Sequence, residues 1–110
     1  MTETGKTVEV AHLSAKDFEE RFAQADDATL LDVRTPFEFQ EGHIPGALNL
    51  DVYNASFVDE VRKLDTSRPL FVYCRSGNRS YTVAQALPQL GFTEVYNLAD
   101  GIISWEGEIG

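Results

Sequence analysis

The sequence predicts an α/β domain built on a mostly parallel central sheet. Two runs, Thr29-Leu30-Leu31-Asp32-Val33 and Pro69-Leu70-Phe71-Val72-Tyr73, are almost continuously apolar, as strands covered on both faces are. Between and beyond them, apolar residues recur at helical spacing, and glycine and proline punctuate the joins. Strands that alternate with helices at this interval need crossover connections, which leave neighbouring strands parallel.

Each element has a local reason. Val8 and Val10 mark a first strand. Ser14 follows as an N-cap, with Asp17 in the capping-box position that Glu or Gln more usually fills. Phe18 and Phe22, with Ala15 and Ala25, line one face of the helix that this cap opens. After the strand at residues 29–33, Thr35-Pro36 supplies an N-cap and a proline at the first helical position, so a brief helix runs through Phe39 and Gln40. Gly42, Pro45 and Gly46 turn the chain into a small strand at Ala47-Leu48-Asn49. Phe57, Val58, Val61 and Leu64 give helical spacing from Ser56 to Leu64. Pro69, with no N–H to pair, starts the clearest strand.

Ser80 to Leu90 is predicted helical. Pro88 biases Leu87 away from helical geometry and imposes a bend or an early stop, and Gly91 is placed to cap the end. Glu94-Val95-Tyr96-Asn97-Leu98 is the fifth strand, and Ile102, Ile103 and Trp105 are expected on a short final helix. With no repeats or low-complexity tracts, residues 1–110 are expected to form a single domain with its core at about 8–105. The chain ends five residues past Trp105, as a domain trimmed from a longer protein would.

Composition removes several function classes. Apolar residues at 43% and charged residues at 25% match a soluble globular protein, and no apolar run approaches the ~20 residues that span a bilayer. The start, MTETGKTVEV, lacks the basic and apolar segments of a signal peptide. One cysteine cannot close a disulfide within the chain, so nothing calls for an oxidising compartment and the expected location is cytoplasmic. A net charge of -9 argues against nucleic acid, which needs a basic face. It does not exclude small anions, because exposed charges beyond about 8 Å are largely screened, and no acidic residue occurs from Thr66 to Gly91. With only His12 and His43 beside the single cysteine, no metal cluster forms at recognised spacing.

The chemistry is concentrated after the buried strand, in Cys74-Arg75-Ser76-Gly77-Asn78-Arg79-Ser80. Gly77 permits positive φ and Asn78 tolerates it, so the loop can curl with successive N–H groups facing an anion, backed by the next helix N-terminus. Arg75 and Arg79 add charge, and Ser76 and Ser80 add hydroxyl donors. The same surroundings favour a thiolate, since helix N-termini and arginines bring cysteine pKa values from ~8.5 into a range of ~3.5–7.5. A lone intracellular cysteine is ordinarily a small buried hydrophobe. The glycine, the arginines and the strand–loop–helix setting reverse that reading here. Ligands of such sheets bind beyond the carboxyl ends of the strands, where Cys74 stands.

These residues resemble the rhodanese-like domain family. Leu31-Asp32-Val33-Arg34 with Glu38, then Gly42-His43-Ile44-Pro45-Gly46-Ala47-Leu48-Asn49, is similar to its first signature. Val72 to Ser80 is similar to its active-site loop, and Gly91-Phe92 with Val95, Leu98, Gly101 and Trp105 to its closing segment. The resemblance covers roughly Val8 to Trp105. It implies a three-layer domain with about five strands and helices on both faces, and a thiosulfate sulfurtransferase type of reaction that passes sulfur through a persulfide on Cys74. It also implies that the loop amides hold the extra sulfur, that Arg75 and Arg79 bind an anionic donor such as thiosulfate, and that a thiol or cyanide, including a partner protein's thiol, accepts. No metal or organic cofactor and no membrane enters this scheme. One departure is Asp100, where members often carry a second glycine before the tryptophan segment; at that distance in sequence from the loop it bears on local turn geometry rather than catalysis.

Two other functions share the architecture. A non-catalytic or regulatory binding module is the main alternative, though inactive relatives would be expected to lack the cysteine or the loop charges. Cysteine-dependent phosphatases place five residues between cysteine and arginine, whereas four separate Cys74 from Arg79, a loop too tight for a phosphate ester. Among the remaining residues, Asp32 and Arg34 read as an ion pair shaping the pocket wall, with substrate contact open to Arg34. Glu38 reads as the partner of a nearby arginine, and the His43 imidazole as a cap on local backbone. Phe37, Phe39 and Trp105 read as core.

Overall fold

The computed structural model describes residues 8–110. Five strands form one sheet in the order β1-β5-β4-β2-β3, and every pairing is parallel. They are β1 (Val10–Leu13), β2 (Thr29–Asp32), β3 (Leu48–Asn49), β4 (Leu70–Tyr73) and β5 (Val95–Leu98). The helices are α1 (Ala15–Gln24), α2 (Pro36–Gln40), α3 (Phe57–Val61) and α4 (Asn78–Ala86). No helix among the described residues is long and apolar enough to cross a membrane.

Alternation along the central strands builds two cores. Leu70, Val72 and Cys74 face one side, where Val61 of α3 and Val83 and Ala84 of α4 close over them with Leu31, Val33 and Val95. Phe71 and Tyr73 face the other, against Phe18 of α1, Leu30 and Leu98. Phe18 meets Phe71 edge-on at 5.3 Å and Trp105 edge-on at 6.0 Å, so α1 and the chain's closing turn share one anchor. The result is the three-layer arrangement with helices on both faces. β4 lies at the centre of the sheet, and its four residues are all buried.

The boundaries refine the sequence reading. Val8 lies outside β1, which begins at Val10. Ser14 caps α1 by accepting the Asp17 amide at 3.2 Å. The reciprocal capping box forms instead on α2, where the Glu38 carboxylate accepts the Thr35 amide at 3.0 Å and the Thr35 hydroxyl accepts the Glu38 amide. α4 starts at Asn78, two residues before the expected Ser80, and stops at Ala86; Leu87–Leu90 continue as a 3₁₀ turn around Pro88. Gly91 then caps it at φ +105°, as expected. The final helix is a single 3₁₀ turn, Ile102–Ser104, with Trp105 already extended. Phe37 is a correction: it is 70% exposed, because the short α2 turns it away from the sheet.

A buried ion pair ties β2 to the turn at Gly42. Asp32 is fully buried and receives the Arg34 Nε and Nη2 groups at 3.0 and 2.7 Å, as well as the Arg34 amide. The same Nη2 donates to the Gly42 carbonyl at 2.7 Å, and the Tyr73 hydroxyl accepts the Ile44 amide at 3.1 Å. Burial works against the guanidinium charge, but the Asp32 hydrogen bonds more than restore it, so the Arg34 pKa lies above its ordinary value. Burial, with the Asp32 charge adding to it, also holds the Tyr73 phenol neutral. Removing one partner of such a pair strands the other charge. Asp32→Ala is therefore expected to lower unfolding free energy by about 3 kcal/mol in urea denaturation, and an unchanged midpoint would contradict this account.

Candidate active site

The connections from β2 and β4 leave the sheet in opposite directions, β2 towards the β3 edge and β4 towards β5. Their loops part at the carboxyl ends of two adjacent central strands, a place where α/β sheets leave a crevice. Cys74 opens the second of these loops, one residue past the end of β4.

The loop folds around the sulfur. Gly77 adopts φ +104°, and a side chain there would run into the Ala99 carbonyl after β5, so only glycine serves. Asn78, expected to share the left-handed freedom, is instead the first residue of α4, and the loop's positive φ falls on Gly77 alone. The turn aims the Gly77 amide at Cys74 Sγ at 3.1 Å, and the Ser80 amide, in the first turn of α4, reaches it at 3.4 Å. The thiol is only 1% exposed. Burial alone would push its pKa up. The Ser80 hydroxyl and the amides of Ser80, Gly77 and Ser76 together outweigh that and hold it below the ordinary thiol value.

The two arginines differ. Arg75 is exposed and forms no ion pair among the described residues. Arg79 donates from both terminal nitrogens to both oxygens of Glu38, at 2.8 and 2.9 Å, across 41 positions of sequence. Glu38 was expected to pair with an arginine; the structure identifies which. That fork raises the Arg79 pKa and lowers the Glu38 pKa to about 2, the Arg79 hydrogen bond being the foremost cause in Glu38 and Thr35 assisting. The exposed ring of Tyr53 lies 5.8 Å from the Arg79 guanidinium. Thus Arg79 reaches the site with its charge already matched, and Arg75 carries the unmatched one.

Ser76 is exposed, while Ser80 is buried with its hydroxyl near the sulfur. Asp32 and Arg34 form the expected ion pair, at the end of β2. His43 Nδ1 lies 2.9 Å from the Phe39 carbonyl and its ring stacks on Phe39 at 3.7 Å, the backbone cap expected of it. Asp100 and Gly101, remote in sequence from the loop, lie against it in space: a side chain at Gly101 would collide with the Arg75 carbonyl, and the Ile102 amide donates to the Cys74 carbonyl at 2.9 Å. Tyr53, Gly101 and Ile102 were missed. Separation in sequence hid all three, whereas the Thr35-x-x-Glu38 capping signature was there to locate Glu38.

A parallel sheet with an amide-lined loop around a buried cysteine at its carboxyl end defines a class of α/β domains. Comparison narrows the class. The rhodanese-like domain profile matches residues 14–108, and the chain belongs to that family. It is 36% identical over 96 residues to a sulfurtransferase of Allochromatium vinosum, an alignment covering 87% of this chain and 88% of that one. It is 41% identical over 78 residues to the thiosulfate sulfurtransferase GlpE of Pseudomonas syringae pv. syringae, covering 71% and 72%. Among solved structures, the fold is similar to a rhodanese-related protein of Thermoplasma volcanium, at TM-score 0.77 and 29% identity over 91% of this chain and 97% of that one. It is also similar to the rhodanese-like domain of an Anabaena protein, at TM-score 0.78 and 26% identity over 90% and 77%.

The Glu38–Arg79 fork makes a pH prediction. A carboxylate whose folded pKa lies below its unfolded value adds stability that is complete above the unfolded value and is lost as pH falls through the folded one. For Glu38 the window runs from 4.5 down to about 2. Urea midpoints measured across that window should fall more steeply for the natural protein than for Glu38→Gln, and parallel slopes would refute the assignment.

Proposed function

We propose that the protein is a sulfurtransferase of the thiosulfate sulfurtransferase type, moving a sulfane sulfur from thiosulfate or a persulfide donor to a thiol or cyanide acceptor through a persulfide on Cys74. The observation that carries this reading is the buried Cys74 sulfur held by the Gly77 and Ser80 amides at the N-terminus of α4. Relatives named as sulfurtransferases support it.

The chemistry balances in two halves. The Cys74 thiolate attacks the outer sulfur of thiosulfate; a new S–S bond forms, the old one breaks, and sulfite leaves with the electron pair. An acceptor thiolate or cyanide then attacks the outer sulfur of the persulfide, and Cys74 leaves as the thiolate. Two separate half-reactions give ping-pong kinetics. The loop donors suit both the resting thiolate and the terminal sulfur, each an anion of similar size. Arg75 supplies the unmatched charge that attracts an anionic donor. Arg79, clamped by Glu38, holds its place beside the loop, and Ser76 and Asn78 stand at its exposed rim. A reducing, cytoplasmic setting suits a cysteine that must return to the thiolate after each turnover.

Incubation with thiosulfate followed by intact-protein mass measurement should add one sulfur atom to the natural chain and none to Cys74→Ser. Failure to add it in folded protein would favour a binding module. A Cys74→Ser variant that still transferred sulfur would overturn the reading. With thiosulfate as donor, kcat/KM should rise with pH as the thiolate forms, with its midpoint below that of an ordinary thiol, since the loop donors lower the Cys74 pKa. Arg75→Ala should raise KM for thiosulfate roughly fivefold, the size of one exposed charge contact, with little change in kcat.

A further inference from the structure

The Cys74 loop is braced from outside by the segment after β5. Two backbone hydrogen bonds make the brace: the Ile102 amide donates to the Cys74 carbonyl at 2.9 Å, and the Ile103 amide donates to the Arg75 carbonyl at 3.2 Å. A trans peptide is planar, with the C=O of one residue and the N–H of the next pointing in opposite directions, and no peptide bond here is cis. Fixing the Cys74 carbonyl against Ile102 therefore turns the Arg75 N–H towards the other side. Fixing the Arg75 carbonyl against Ile103 likewise turns the Ser76 N–H away from Ile103, towards the loop interior. The Ser76 amide is among the groups that favour the Cys74 thiolate, which agrees with that direction.

The brace is itself anchored. Gly101, at φ +75°, lies so close to the loop that a side chain would strike the Arg75 carbonyl carbon and oxygen. The 3₁₀ turn Ile102–Ser104 is tightened by the Ser104 hydroxyl, which donates to the Gly101 carbonyl at 2.8 Å, and by the Trp105 amide, which donates to the Ile102 carbonyl at 3.0 Å. Trp105 packs on Phe18 in the core. A continuous chain of contacts thus runs from the α1 face of the sheet to the peptide planes around the sulfur.

We propose that Gly101, Ile102 and Ile103 are positioning residues that set the orientation of the loop peptides, so that their N–H groups meet the Cys74 thiolate and the sulfur it carries. The inference rests on Cys74 acting as a thiolate, as the sulfurtransferase reading requires, but not on the identity of any sulfur donor. The charged groups around the loop are Arg75 within it, Arg79 of α4 with Glu38 of α2, and Asp100 after β5. Substitution at Ile103 alters none of them.

Ile103→Pro removes the donor to Arg75 while retaining a residue that fits a 3₁₀ turn, as Pro88 does in the turn Leu87–Leu90. The Ile103 side chain is 63% exposed, so the loss of isoleucine packing is small. The rate of Cys74 alkylation by iodoacetamide, followed against pH, reads the thiolate without any sulfur donor. Ile103→Pro is expected to shift the midpoint upward by about one pH unit. Ile103→Ala, which keeps the N–H, is expected to restore the natural midpoint. If folded Ile103→Pro retains the natural midpoint, or Ile103→Ala shifts as far as the proline variant, the proposal fails. Should the proline variant not fold, the unaltered protein decides. The amide resonances of Ile102 and Ile103 should titrate with the Cys74 midpoint because they donate to the carbonyls of the Cys74–Arg75 and Arg75–Ser76 peptide planes, and resonances that stay flat through that midpoint overturn the proposal. Persulfide formation from thiosulfate, measured separately, reports on the sulfurtransferase reading alone.

Discussion

A sulfur atom buried at the end of a central strand has to be satisfied by donors, and here those donors are backbone amides together with the Ser80 hydroxyl. Side-chain cations could be mobile; amides in a curled loop cannot be, once both ends of the loop are fixed. β4 fixes one end and the first turn of α4 the other. The pull between burial, which favours the neutral thiol, and the converging N–H groups, which favour the thiolate, resolves towards the thiolate. Most other features near the site serve to keep that loop in shape.

Charge is handled economically around it. Two arginines carried by the motifs, Arg34 and Arg79, are each spent on a carboxylate, Asp32 and Glu38. The Glu38–Arg79 pair joins segments far apart in sequence, the Asp32–Arg34 pair closes locally at the end of β2, and Arg75 is left as the exposed cation of the loop. A chain with net charge -9 can therefore present a site that does not repel small anions. The overall charge speaks to the surface, and the local pairing speaks to the site.

Much of this was legible in the residues. The apolar runs at 29–33 and 69–73 located the buried strands because a strand covered on both faces leaves little room for polar residues. The loop was legible because glycine, serine and arginine after such a strand have few structural uses in combination. What could not be read were encounters between distant segments. Glu38 could be expected to find an arginine, but only the fold brings it to Arg79 rather than to Arg75. Phe37 looked like core because aromatics dominate small cores, yet a helix as short as α2 cannot bury every face. The contact of the Asp100–Gly101 turn with the loop was hidden because sequence distance is a poor guide across a parallel sheet, where β5 lies beside β4.

The close approach of Gly77 to Ala99 has a bearing on how such a loop can diverge. On its outer side the loop abuts backbone, Gly77 against Ala99 and Arg75 against Gly101, with no space for another atom between them. A longer ring, of the kind a bulkier tetrahedral anion needs, would have to swell outward against that segment and displace the Ile102 and Ile103 amides. Lengthening the loop and remodelling the segment after β5 are thus coupled changes, and descent towards a different substrate would have to pass through both. The fold makes epistatic partners of two stretches separated by more than twenty positions in the chain.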